Sequence, residues 1–229
     1  MDAIILAGGR AERLGDAADG RPKALVDVGG RALAAYQVAQ LGRAGVDRVI
    51  VSCAAEHARA FERELGGHGP EIVVAPETER LGRGGGLRNA ARYREEDGPA
   101  YALNGDELLD LDFSALLAHH CERRPAATIT VVAPSSPFGV VDVRDDDLVG
   151  GFHETTTLPV WVSCGVYVLD EEAFARLPER GDHEQSTFPE LAAAGRLLAY
   201  RHAGIWITVN TPKDLRRARE HVAAHGEQF

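Results

Sequence analysis

The stretch LAGGRAERLGDAADGRPKALVDVGG, residues 6–30, decides how the rest of the chain reads. It follows an apolar run over residues 3–7, long enough for one buried strand. The run breaks into Gly8-Gly9 and then places Arg10, Arg13, Arg21 and Lys23 within fourteen residues. The protein as a whole is acidic, with 25 basic and 35 acidic residues and a net charge of -10. That balance argues against a nucleic-acid surface and against an anionic membrane surface. A basic cluster in such a chain is expected to be local and aimed at a small anionic ligand.

Glycines at the end of a strand let backbone N–H groups approach an oxyanion closely. Arg13 and Lys23 add positive charge within reach of phosphate oxygens. Lys23 and Lys213 are the lysines of the chain, the other basic residues being arginine. A compact ammonium suits a point contact to one phosphate better than a guanidinium fork does. Lys23 is expected in a solvent-facing loop. The loop is neither a G-x-G-x-x-G dinucleotide fingerprint nor a Walker A loop, because the required glycines and the Gly-Lys-Ser/Thr are missing.

Outward from this stretch, strand and helix alternate. Buried strands are expected at residues 48–53, 71–75, 100–104 and 127–133, and helices at 33–44, 57–65, 84–93 and 113–123. Such alternation implies βαβ units and a mostly parallel sheet with helices on both faces. The second half changes character. Residues 139–143, 148–153 and 160–169 are strand-like with short turns, which predicts a small antiparallel or mixed subregion. Helices at 171–177 and 187–194, a strand at 196–202 and a closing helix at 212–224 complete the chain. The fold class is α/β, in one domain of two lobes, with a ligand site where they meet. Cys53, Cys121 and Cys164 are odd in number and far apart, so neither a disulfide framework nor a zinc site is implied. His119-His120-Cys121 is expected on a helix or loop surface, since adjacent helical residues point in different directions. No run of 18 apolar residues and no leader pattern is found, so a cytoplasmic protein is expected.

Several motifs now fall into order. Gly8-Gly9-x-x-x-Arg13-Leu14 followed by Arg21-Pro22-Lys23-Ala24-Leu25-Val26 resembles the signature of the NTP-transferase family, the sugar-phosphate nucleotidylyltransferases. Residues 81–87 (LGRGGGL), Asn104-Gly105-Asp106, Phe138-Gly139-Val140-Val141, Phe152-His153-Glu154, Cys164-Gly165-Val166-Tyr167 and residues 206–215 (WITVNTPKDL) are similar to its later motifs in sequence order. The resemblance implies a Rossmann-like fold and the reaction NTP + sugar 1-phosphate → NDP-sugar + pyrophosphate. It divides the domain, residues 1–229, into a nucleotide-binding lobe over 1–133 and an acceptor-binding lobe over 134–229. No β-helix domain follows, so the catalytic domain alone is expected.

The resemblance also implies roles. Arg13, Lys23 and Asp106 would be catalytic, with Arg13 on the β- and γ-phosphates and Lys23 between the reacting phosphates. Leu6, Ala7, Gly8, Gly9, Arg10, Gly82, Gly84 and Gly85 would bind the nucleotide. Glu77 would accept from a guanine edge, which leans the nucleotide towards GTP; a surface Glu is the competing reading. Gly139, Glu154, Ser163 and Gly165 would contact the acceptor. Mg²⁺ would bind Asp106, a carboxylate just past a strand. Glu107, Asp110 and Asp112 read as helix-start and solvated charges. The chain departs from the family at Thr208, where Asp is common, and at Asn210, in a glycine slot. Some relatives that act on amino-sugar phosphates or pterins use such an Asn as a metal ligand, so Asp106 and Asn210 are expected to bind Mg²⁺ together. The competing reading is that Asn210 or Thr211 caps the closing helix.

Thr155 stands where an acceptor-binding Lys is common, and Ser163 where Asn is. Ordinary hexose 1-phosphates are therefore expected to be poor substrates, with Arg201 and His202 as candidate replacement cations. The partners expected are an NTP and a small phosphorylated acceptor, with no nucleic acid and no membrane; a homo-oligomer stays open. Two other readings stand beside the main one: a nucleotidylyltransferase for an alditol, cyclitol or choline phosphate or a pterin cofactor, and a non-catalytic regulator that binds sugar nucleotides.

Overall fold

The structure is a computed structural model that describes residues 1–9 and 11–226. The strands are β1 Asp2–Leu6, β2 Asp27–Val28, β3 Arg31–Ala32, β4 Arg48–Ala54, β5 Glu71–Glu77, β6 Ala100–Asn104, β7 Glu107–Leu109, β8 Ala127–Val132, β9 Val140–Val143, β10 Val149–His153, β11 Val162–Leu169, β12 Leu197–Arg201 and β13 Trp206–Thr208. The α-helices are α1 Leu33–Arg43, α2 Ala58–Leu65, α3 Gly82–Ala91, α4 Phe113–Arg123, α5 Glu171–Ala175, α6 Thr187–Ala193 and α7 Pro212–His225. Short 3₁₀ turns follow the glycine loop at Glu12–Ala18 and Lys23–Leu25.

Seven strands form one sheet in the order β12-β8-β11-β6-β1-β4-β5. The pairs β6-β1, β1-β4, β4-β5 and β8-β12 are parallel, and β11 runs antiparallel to both β6 and β8. The strand DAIIL is covered on both faces because a parallel sheet is sandwiched by helices. Ile5 shares one buried core cluster with Val38 and Leu41 of α1, Phe61 of α2 and Leu116 of α4. Its neighbour Ile4, pointing the other way, belongs to a second buried cluster with Leu87 of α3, Phe174 of α5 and Leu191 of α6. A third apolar cluster joins Leu14 and Leu33 to Leu108, Ile207, Leu215 and Val222, and so ties α7 to the loop side of the molecule.

The expected α/β class, mostly parallel sheet and small antiparallel subregion are all present. β9 and β10 form a separate two-stranded ribbon, with Phe152 opposite Val141. β11 belongs to the main sheet rather than to that subregion. The glycine helix starts at Gly82, two residues earlier than its sequence suggests. β7 and β13 form an antiparallel pair that the sequence reading lacks, because three residues are too few to show a period. Among the described residues no helix is long and apolar enough to cross a membrane.

Candidate active site

The site lies beyond the carboxyl ends of β1 and β6, where open α/β sheets bind ligands. Leu6, Ala7, Gly8, Gly9, Lys23, Ala24, Glu77, Arg80, Gly82, Arg83, Asn104, Gly105 and Asp106 enclose a cleft of about 260 Å³. Arg10 lies outside the described residues. Gly105 has a packing reason: a Cβ there would sit 3.0 Å from the Leu6 carbonyl and 3.1 Å from Ala24. A side chain there would have to push these neighbours aside by a few tenths of an ångström, so glycine suits the close passage of the end of β6 by β1 that leads to Asp106. The Gly105 N–H donates to the Leu6 carbonyl at 2.9 Å and fixes the approach.

Lys23 and Asp106 are the centre of the cleft. Lys23 is buried, at 8% exposure, and not in the solvent-facing position expected for it. The short turn Lys23–Leu25 carries it inward, with Ala24 and Leu25 buried beside it. Its ammonium donates to Asp106 Oδ2 and to Asn210 Oδ1, each at 2.5 Å. Arg13 donates to the same Asn210 oxygen at 2.6 Å. Residues from three distant parts of the chain therefore meet on one point. Thr211, not Asn210, caps α7: its side chain and that of Asp214 form a capping box ahead of Pro212. The Asn210 side chain is left to face the site.

Two hard oxygens from separate segments converging on one cation is a donor set that fits Mg²⁺. That ion is satisfied by one or two protein oxygens, with phosphate and water completing its shell. Among the described residues no group of three or more His, Cys, Asp or Glu is arranged to hold a metal without such help.

Glu107 is not a solvated charge. It is 4% exposed, and its Oε2 accepts from Trp206 Nε1 at 2.8 Å and Thr208 Oγ1 at 2.7 Å. Burial, with the Asp106 charge beside it, pushes its carboxyl well above the usual range. Asp110 is also engaged, accepting from the Ile205 N–H at 2.6 Å and pairing with His202 at 3.1 Å. Asp112 caps α4 as its position suggests. His120 of α4 is buried against Thr128, contrary to the surface expected of it, while Cys121 is exposed.

The remaining predicted residues fall into place unevenly. Glu77 lines the cleft, with one oxygen accepting from Ser52 Oγ at 2.6 Å and the other from the Leu81 N–H at 3.2 Å. Gly82 lines it too. Gly84 and Gly85 are turned to the other side of α3, where a Cβ would meet Pro178 and the Glu179 carbonyl. Arg80, Arg83 and Asn104 line the cleft without having been singled out as ligands of the nucleotide. The signal for Arg80 and Arg83 was in reach: two cations flank Leu81-Gly82 in an acidic chain. Arg83 is held by Asp182 and Glu184, and Glu184 also accepts from Tyr167 at 2.7 Å.

On the acceptor side, Gly165 is buried against the Asn104 side chain, at the rim of the cleft. Ser163 is exposed and lies 3.5 Å from the Tyr167 hydroxyl. Gly139 packs under the Phe152 ring, and Glu154 is exposed at the end of β10, ahead of Thr155 in a left-handed conformation. Gly139 and Glu154 are thus outside the lining of the cleft. Arg201 stacks on Trp161, with 5.1 Å from its guanidinium to the ring. His202 is tied to Asp110 and the Ile205 carbonyl.

The fold and site together define an α/β protein with a glycine-rich loop and a Lys–Asp–Asn convergence at the sheet's carboxyl edge. The chain belongs to the nucleotidyl transferase family, whose sequence model matches residues 2–225. It is 31% identical over 228 residues to a mannose-1-phosphate guanylyltransferase of Mycobacterium tuberculosis, covering 95% of this chain and 63% of that protein. It is 29% identical to the mannose-1-phosphate guanylyltransferase catalytic subunit beta of Dictyostelium discoideum, covering 93% of this chain and 62% of the relative. The chain thus spans less than two thirds of these relatives. Among solved structures, HddC from Yersinia pseudotuberculosis superposes with a TM-score of 0.75 at 22% identity, covering 96% of this chain and 98% of the other. A putative glucose-1-phosphate thymidylyltransferase from Bacillus anthracis reaches 0.77 at 19% identity, covering 96% and 95%. These two likenesses establish the shared fold.

Proposed function

We propose that the protein is a Mg²⁺-dependent nucleotidylyltransferase that joins an NTP to a sugar 1-phosphate, giving an NDP-sugar and pyrophosphate. The observation that carries the reading is the meeting of Lys23, Arg13, Asp106 and Asn210 at the mouth of the glycine loop. An acceptor phosphate oxygen attacks the α-phosphorus in line; one P–O bond forms and the bond to the β-phosphate oxygen breaks. Such chemistry asks a protein for positioning and charge neutralisation rather than for a nucleophile. The Gly8 and Gly9 backbone would cradle phosphate oxygens, with Arg13 on the leaving pyrophosphate. Lys23, now shared between two oxygens, is placed to offset the charge that builds between the reacting phosphates. Asp106 and Asn210 would hold Mg²⁺, which supplies charge neutralisation to the phosphates when bound.

GTP is the nucleotide we favour. Glu77 stands in the cleft with its carboxylate oriented by Ser52 and Leu81, and the relatives cited are named for guanylyl transfer. Residues 1–133 would form the nucleotide lobe and 134–229 the acceptor lobe of one cytoplasmic domain. For the acceptor, the relatives' names favour mannose 1-phosphate. Thr155 in place of a cation, with Arg201 stacked on Trp161 and His202 tied to Asp110, favours a less usual sugar or polyol phosphate. Pyrophosphate release from four NTPs against a panel of sugar and polyol phosphates tests the reading. Turnover with one NTP–acceptor pair supports it, and release with none sinks it. A kcat/KM above about 10⁴ M⁻¹s⁻¹ with mannose or glucose 1-phosphate would settle the acceptor as an ordinary hexose phosphate.

A further inference from the structure

Asp106 and Asn210 are 104 residues apart, and something must hold their oxygens at one point. Asp106 immediately precedes β7, and Asn210 lies two residues past the end of β13. These strands are three residues each, paired as Trp206 with Leu109, Ile207 with Leu108 and Thr208 with Glu107. A two-stranded ladder of that length is marginal by itself. Directly at its end, the Val209 N–H donates to the Asp106 carbonyl at 2.9 Å. The side chain that spans the pair is Glu107, whose one oxygen takes both the Trp206 indole N–H and the Thr208 hydroxyl. Its own carbonyl accepts from Gln37 Nε2 at 2.9 Å, and Gln37 also donates to the Asn104 carbonyl at 2.8 Å. Glu107 therefore links α1, the loop that carries Asp106 and the strand that delivers Asn210.

We propose that Glu107 is a positioning residue for nucleotidyl transfer, a carboxyl clamp that sets the register of β13 on β7 and so the distance between Asp106 and Asn210. A stable core alone would not select it. Burying a carboxyl group is costly, and an apolar side chain of similar volume packs a strand pair more cheaply. Two hydrogen bonds converging on one oxygen give what an apolar contact lacks: a fixed register, in which a slip of one residue would turn the side chains over. Glu107 itself is sealed beneath the site and acts through the residues on either side of it.

The proposal rests on the metal-dependent reading above, and the test separates the two. Mn²⁺ binding, followed by electron paramagnetic resonance with GTP present, is compared in the wild-type protein and in Glu107→Ala, Glu107→Gln and Asp106→Asn, alongside Tm and turnover. If the wild-type protein and Asp106→Asn bind Mn²⁺ equally, the metal reading falls and this proposal with it. If Asp106→Asn loses binding, the metal reading stands and Glu107 is judged by itself. Glu107→Ala is then expected to weaken Mn²⁺ binding and lower kcat about 10- to 100-fold, the usual effect of losing a group that orients metal ligands. Glu107→Gln, whose amide oxygen still accepts both bonds, is expected to recover to within about threefold. A Glu107→Ala protein that loses only Tm overturns the proposal, as does a Gln variant as defective in Mn²⁺ binding as the Ala variant. Should Glu107→Ala fail to fold, Thr208→Val combined with Trp206→Phe removes the same two bonds and must weaken Mn²⁺ binding likewise; unchanged binding in that variant refutes the clamp.

Discussion

The glycine-loop cleft and the β9–β10 ribbon are built on opposite terms. At the cleft, the Lys23 ammonium donates to Asp106 and Asn210 at 2.5 Å, and beneath it the buried Glu107 accepts from Trp206 and Thr208 at 2.8 and 2.7 Å. Around the ribbon, Phe138, Val143, Val149 and Phe152 stand 60–78% exposed. Charges held in fixed hydrogen bonds, as in the first region, are the arrangement by which a proposed active site would lower a barrier without reorganisation. The second spends little on packing, so its residues can be exchanged at small cost to the fold. On the function proposed above, the chemistry would sit in the hydrogen-bonded region and the exposed ribbon would stand apart from it.

Asp106→Asn should break the first region most severely. We expect turnover to fall about 10³-fold, the upper range for one lost electrostatic group, with a Tm close to wild type because the amide still accepts from Lys23. Steady-state pyrophosphate release and a melting curve check both halves. Lys23→Ala should cost about 10²-fold in kcat. Since Lys23 is buried, this variant should also lose several degrees of Tm, unlike a loop lysine; an unchanged Tm would return Lys23 to the solvent-facing role.

The loop behind α3 sharpens the comparison through pH. His183 is fully buried, and desolvation pulls its imidazole down to about 4. The folded state therefore keeps it neutral while the unfolded chain takes up a proton near the ordinary value. Stability from this group is intact above about pH 6.5 and is lost as pH falls towards and below 4, by roughly 3 kcal/mol in all. Urea midpoints of wild type and His183→Phe across that range should diverge in slope; parallel curves would refute the burial effect.

A smaller effect separates neighbouring residues. Thr211→Ala should cost about 1 kcal/mol of stability through the lost cap and leave the Mg²⁺ requirement alone. Asn210→Ala should do the reverse, which a Mg²⁺ titration of activity beside a melting curve will show. Smallest of all, Phe152→Ser in the ribbon should change stability by no more than about 0.5 kcal/mol, as for surface positions, and leave kcat near wild type. A large drop in Tm would mean that the ribbon is covered in solution.

Much of this was legible in the sequence, and for physical reasons. The run at residues 3–7 and its two glycines marked a buried strand feeding a glycine loop, because a continuous apolar run and the lack of a Cβ are local properties. The ends of Ala100–Asn104 and Phe113–Arg123 are as the pattern draws them, since Gly105 and the Asp112 cap are local signals. The fate of charges was not legible. Lys23 reads as a loop cation and is buried, and Glu107 reads as a helix-start charge and sits beneath a strand pair. A charged residue's burial depends on which partners arrive from far along the chain, and Asn210, Trp206 and Thr208 are about a hundred or more residues away. Gly84 and Gly85 look like nucleotide contacts in the run GRGGGL, yet the loop at Pro178 decides which face of α3 they serve. Local chemistry thus determined the strand, the loop and the class of fold. Only the tertiary structure decided which polar groups meet, because that is set by strand order and close approach rather than by any spacing in the chain.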